Sequence, residues 1–220
     1  MIARNDQLDL FRIVGNTITR DVQCYAFGGT AMLFYGYKDE TKDIDLLFED
    51  EPQRKEFIRA IGALGFEEAS PFRLYIPKKL LDRHRPLMYK RDDSRFDLFV
   101  KCIFQTKLSP QMKEDKYAVH EFKGKHTLTV NVLRTEHLVV LKAVTERDRD
   151  FEDILTIVKN TKDFGWQYLI DETLWQFAHG DGWVLFDVEK LLRELKKYLF
   201  VEEKYLKQLH GAVGKNARRR

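Results

Sequence analysis

The stretch FGGTAMLFYGYKDETKDIDLLFED, residues 27–50, holds the side chains best suited to chemistry. Asp43 and Asp45 are two apart in a strand-like run, so a strand projects both from one face and sends Ile44 to the other. Carboxylates forced side by side repel each other unless a cation lies between them. Hard divalent cations with oxygen ligands, Mg2+ or Mn2+, are the natural partner. Asp97, in SRFDLFV, is a third carboxylate among apolar neighbours. If its strand pairs beside residues 43–49, three aspartates converge. Such a set can hold two metal ions a few ångströms apart for in-line phosphoryl or nucleotidyl transfer.

Upstream, Gly28 and Gly29 lie between a strand pattern and a helix pattern. Lacking a β-carbon, they let a phosphate approach the backbone closely. The N–H groups and dipole of a following helix favour an anion there, and Thr30 adds a hydroxyl. The glycine turn can therefore hold a triphosphate whose metals sit on Asp43 and Asp45.

The elements that must position these groups are legible in outline. Residues 6–20 space Leu8, Phe11, Ile13 and Val14 as a helix, and VQCYAF (22–27) reads as a short buried strand. A helix is predicted from Thr30 to near Gly36, a strand over 43–49, and an amphipathic helix over 52–66 with proline at its start. FRLYIP (72–77) reads as a strand, 78–94 is basic and unassigned, and RFDLFVKCIF (95–104) reads as one long strand. Residues 117–133 form a hairpin turning at Lys123-Gly124-Lys125. Thr135 opens a helix, and Asp148 or Asp150 is placed to cap the next. From Phe164 onward the pattern is helical, broken at Gly180-Asp181-Gly182, with VEKLLRELKKYLFVEEKYLKQLH running on as a second helical stretch. Trp166, Trp175 and Trp183 read as core of this region. The fold class expected is α+β: a mixed sheet flanked by helices over residues 1–160, then a helical region over 161–220 ending in a basic tail.

Bulk properties narrow the classes. A net charge of +3 is too balanced for a dedicated nucleic-acid binder; the basic character is local, in RHRPLMYKR (83–91) and the closing KNARRR. Cys24 and Cys102, both in apolar contexts, suggest buried thiols rather than a disulfide framework. The N-terminus lacks the apolar segment of a signal peptide, and no run approaches the ~18 apolar residues of a membrane span. The expectation is a cytoplasmic protein. The histidines show no ligand spacing, which argues against zinc.

The arrangement strand, Gly28-Gly29-Thr30, helix, loop, Asp43-Ile44-Asp45 resembles the DNA-polymerase-β-like nucleotidyltransferase superfamily. The stretch LKAVTERDRDFEDI (141–154) is similar to the Lys…Arg-Asp-x-x-Asp segment of abortive-infection-toxin nucleotidyltransferases and related stand-alone members. The resemblance covers roughly residues 22–158; many members carry serine where this chain has Thr30. It implies Asp43 and Asp45 as the metal pair, Asp97 as the third carboxylate, Lys142 on the nucleotide phosphates, and Asp150 and Asp153 in a closing acidic motif. It implies an NTP such as ATP as substrate, with pyrophosphate released. The acceptor hydroxyl belongs to an RNA or tRNA end, a protein, or a small molecule such as an aminoglycoside. The competing reading is a non-catalytic nucleotide- or RNA-binding protein on the same fold. The apolar stripes of the C-terminal helices need cover from the sheet or from a second copy in a homodimer. Lys190, Arg193, Lys196, Lys197, Lys204 and Lys207 line the polar faces, where they can meet an anionic acceptor or simply face water.

Overall fold

The computed structural model describes residues 1–70, 81–145 and 150–217, with side chains to residue 212. The described elements begin with β1 (Ile2–Ala3), α1 (Arg4–Thr17), β2 (Val22–Ala26), α2 (Gly28–Tyr35), β3 (Glu40–Thr41), β4 (Ile44–Phe48) and α3 (Glu51–Ala63). Strands β5 (Glu67–Ala69), β6 (Leu87–Arg91), β7 (Ser94–Val100), β8 (Cys102–Ile103) and β9 (Thr106–Lys107) lead to the short α4 (Pro110–Glu114) and the hairpin β10 (Lys116–Lys123) and β11 (Thr127–Leu133). Helices α5 (Thr135–Thr145), α6 (Asp150–Asn160), α7 (Trp166–His179), α8 (Val184–Leu195) and α9 (Glu203–Ala217) complete the chain.

All five residues of β4 are buried, as expected of a strand covered on both faces. It lies at the centre of a mixed sheet in the order β10-β11-β2-β4-β7-β6-β5, with β8 and β9 attached at the end of β7. The β4–β7 and β11–β2 pairs are parallel, and the other pairs in that order are antiparallel. Helix α3 covers one face. Its Phe57 ring meets Phe48 and Phe96 edge-on or tilted, each at 5.4 Å. Asp50 caps α3 through its Oδ1, 2.9 Å from the Gln53 amide, with Pro52 in the first turn. The mixed α+β sheet flanked by helices, with a helical C-terminal region, is thus the architecture observed.

Several boundaries differ from the sequence expectation. Helix α2 begins at Gly28, two residues before Thr30. The stretch 95–104 is not one strand: Lys101 adopts φ 62 and turns the chain, so that Cys102 folds back beside Val100. Part of the unassigned basic segment is β6, the antiparallel partner of β7. Asp150 is the first residue of α6; its carboxylate faces Lys142 and Thr145. The second C-terminal stretch breaks between α8 and α9, at residues 196–202. An unbroken helix over that stretch would be about 35 Å long and would carry its later turns away from the core. The break returns Tyr205, Leu206 and Leu209 to the core instead. Trp183 is 58% exposed rather than core. The expected strand at 72–77 and the alternative cap Asp148 lie outside the described residues.

The C-terminal helices join the sheet region through buried polar contacts as well as apolar ones. Gln176 accepts from the Lys107 amide at 2.9 Å and donates to its carbonyl at 2.7 Å, Ser109 donates to Glu172 at 2.9 Å, and Thr106 donates to Asp181 at 2.8 Å. One apolar core runs from Ile2 to Leu209. Both cysteines are free and buried. Among the described residues, no helix is long and apolar enough to cross a membrane.

Candidate active site

Strand alternation sorts the side chains of β4 and β7. Phe48 and Phe96 point to α3, so Asp45 and Asp97, of opposite parity, point away from it. The two aspartates are direct register partners across the parallel pair. Asp43 lies one residue before β4, at the end of the preceding loop. One carboxylate oxygen from each of the three lies within 4.8 Å of the others. Among the described residues, this is the cluster of acidic, cysteine or histidine side chains with metal-ligand spacing. Asp97 is fully buried and Asp45 nearly so. Three hard oxygen donors this close together fit a hard divalent cation such as Mg2+ or Mn2+.

The glycine turn touches this cluster directly. Gly28 adopts φ +57, and a β-carbon there would overlap the Asp45 carboxylate. A β-carbon on Gly29 would overlap the Thr41 hydroxyl. Both positions therefore require glycine for close approach. Thr30 has a different place from the one expected. It is fully buried, and its hydroxyl accepts the Asp45 amide at 2.7 Å. The threonine ties α2 to the strand that carries Asp45; it does not face the cleft.

The cleft has a volume of about 410 Å³. Gly28, Gly29, Asp43 and Asp45 line it together with Lys142, Asp150 and Asp153. Phe99, Ile103 and Phe104 supply an apolar wall. Lys142 is 7% exposed and donates to Asp150 Oδ1 at 3.0 Å and to Asp153 Oδ2 at 2.6 Å. Burial opposes its charge, but the two carboxylates outweigh that cost and raise its pKa. Asp153 is held low: burial raises it, and Lys142 with Lys38 more than reverses this. The residues of the Lys…Arg-Asp-x-x-Asp segment that are described thus meet one another first, Lys142 on α5 with Asp150 and Asp153 on α6.

Two charged residues were not singled out from the sequence. Lys38 bonds Asp153 Oδ1 at 2.6 Å and lines the cleft; in the polar loop YKDETK nothing distinguishes it. Arg95 donates from Nε to Asp97 Oδ1 at 2.8 Å and from Nη2 to Asp43. Its signal was present: it stands two before Asp97 on the same strand, hence on the same face. The C-terminal basic residues, in contrast, are largely paired. Arg193 bonds Glu189, Lys196 bonds Glu203, Lys197 bonds Glu194 and Lys204 bonds Glu202.

No protein-family model and no curated protein matches the sequence. Two solved structures from Helicobacter pylori align with nearly the whole chain. One is the protein JHP933, at 14% identity and TM-score 0.43, covering 98% of this chain and 95% of that one. The other is a candidate nucleotidyltransferase, at 14% identity and TM-score 0.43, covering 95% of this chain and 91% of that one. At these scores the likeness is one of outline and carries no residue assignment.

Proposed function

We propose that this chain is a metal-dependent nucleotidyltransferase that moves a nucleoside monophosphate from an NTP to an acceptor hydroxyl. The observation that carries the proposal is the convergence of Asp43, Asp45 and Asp97, the first two lining one cleft with Gly28 and Gly29 and the buried Asp97 behind them. In the reaction, the acceptor O–H bond breaks and its proton passes to solvent, a P–O bond forms at the α-phosphorus, and the bond to the leaving pyrophosphate breaks.

Asp43, Asp45 and Asp97 would hold the divalent cation. When bound, the cation supplies Lewis-acid stabilisation of the phosphate oxygens and favours ionisation of the attacking hydroxyl. Gly28 and Gly29 line the cleft at the N-terminal end of α2, where backbone N–H groups favour an anion. Lys38 and Lys142 put positive charge in the same cleft, each held in place by Asp153. Phe99, Ile103 and Phe104 keep water from one side of it. The acceptor remains a class: an RNA or tRNA end, a protein side chain, or a small molecule with a hydroxyl.

The test is pyrophosphate release from each NTP with Mg2+ or Mn2+, comparing the wild type with Asp45→Asn. Release that needs Asp45 supports the reading. Asp45-dependent NTP binding with no release against RNA, protein and aminoglycoside acceptors favours a non-catalytic nucleotide binder. Absence of metal-dependent NTP binding sinks the site assignment.

A further inference from the structure

Arg95 sits between two of the three carboxylates. Its Nε donates to Asp97 Oδ1 at 2.8 Å, its Nη2 lies 3.4 Å from Asp97 Oδ2, and Nη2 also reaches Asp43 Oδ2. The side chain is only 17% exposed. Burial works against its charge, and the fields of Asp97, Asp43 and Asp45 outweigh that effect and raise its pKa. A single guanidinium cannot by itself neutralise three carboxylates, so the cluster still attracts a cation.

The two anchors of Arg95 differ in stiffness. Asp97 is in the middle of β7 and fully buried. Asp43 is outside β4 with its side chain 15% exposed. A carboxylate at a loop end can shift; one fixed by strand pairing on both sides cannot do so without disturbing the sheet. We propose that Arg95 is the resident counter-cation of the aspartate cluster, a positioning residue that competes with a divalent cation for Asp43 and is released from Asp43, while staying on Asp97, when the cation binds. The device holds the ligands close together before the cation arrives and makes cation binding without nucleotide weak. It rests on the cation-binding reading of the three aspartates.

The experiment is Mn2+ binding without nucleotide, followed by the electron paramagnetic resonance of free Mn2+, for wild type, Arg95→Gln and Arg95→Lys. Arg95→Gln is expected to bind Mn2+ at least about ten-fold more tightly than wild type, because the competitor is gone. Arg95→Lys, which keeps the charge, returns the affinity towards the wild-type value. Equal or weaker binding by Arg95→Gln overturns the proposal while leaving the metal site standing. No Mn2+ binding by any of the three proteins overturns the metal site itself, and the proposal with it. If Arg95→Gln does not fold, a structure of the wild-type chain crystallised with Mn2+ decides. Arg95 withdrawn from Asp43 beside the ion supports the proposal; an unchanged Arg95–Asp43 contact, or no ion on the aspartates, overturns it.

Discussion

Asp45 and Asp97 are register partners on adjacent parallel strands, and their side chains leave the sheet on the face opposite α3. The pairing gives two carboxylates a spacing that neither strand could provide alone, and Asp43 closes the group from the loop.

Neutralising Asp43 and Asp45 together, as Asn, is expected to abolish Mg2+-dependent NTP binding, because Mg2+ needs both carboxylates and phosphate oxygens to complete its shell. Titration calorimetry with and without Mg2+ measures this. Relief of repulsion is offset by loss of the Arg95–Asp43 pair, so circular dichroism should still report a native fold. Unchanged Mg2+-dependent affinity would remove both residues from the site.

Gly28→Ala is expected to destabilise the chain by about 1–2 kcal/mol or more, from a positive φ that alanine resists and from overlap with the Asp45 carboxylate. Urea unfolding gives the stability, and NTP affinity in the same variant should fall because Asp45 must move. A variant as stable as wild type would show that the turn relaxes at no cost.

Lys142→Met removes the partner of two carboxylates that stay in a largely buried setting. Breaking such a pair costs about 3 kcal/mol, so the melting temperature should drop sharply. Adding Asp150→Asn and Asp153→Asn should recover part of the loss. A small loss in Lys142→Met, with NTP affinity gone, would show that phosphate contact outweighs the structural role.

His137 is fully buried beside Glu172, and burial depresses its pKa to about 4. In the unfolded chain it titrates near ~6.5. The unfolded state then binds more protons between those values, so stability is complete above about pH 6.5 and is lost as pH falls towards 4. The contribution is about 3 kcal/mol. Denaturant midpoints measured across this window should flatten in His137→Phe relative to wild type; identical slopes would place the acid sensitivity elsewhere.

Truncation after Asn160 removes α7, α8 and α9 and uncovers α5, whose Leu138, Val139, Val140 and Leu141 are buried. It also strands Lys107 and Ser109, which Gln176 and Glu172 satisfy. The truncated chain is expected to aggregate and to bind an apolar dye. A soluble, monodisperse product would show that these helices only adorn the sheet.

What the sequence determined by itself was local. The apolar run at Ile44–Phe48, the two-residue spacing of Asp43 and Asp45, the paired glycines before a helix and the hairpin around Gly124 each depend on neighbours in the chain, and periodicity or missing β-carbons reveal them. Only the tertiary structure decided which strand lies beside β4. Parallel register is set by the intervening chain and by which faces must be buried, so Asp97 could be placed on a strand but not opposite Asp45. The same limit hid the partners of charged groups. Thr30 could be read as a free hydroxyl until the Asp45 amide was seen to donate to it. The hydrogen bonds of Lys142 to Asp150 and Asp153 were likewise not legible in the sequence. The helical periodicity of the C-terminus ran through residues 196–202 because periodicity reports which face is apolar, not where the supporting core ends. That end is a property of the packed molecule.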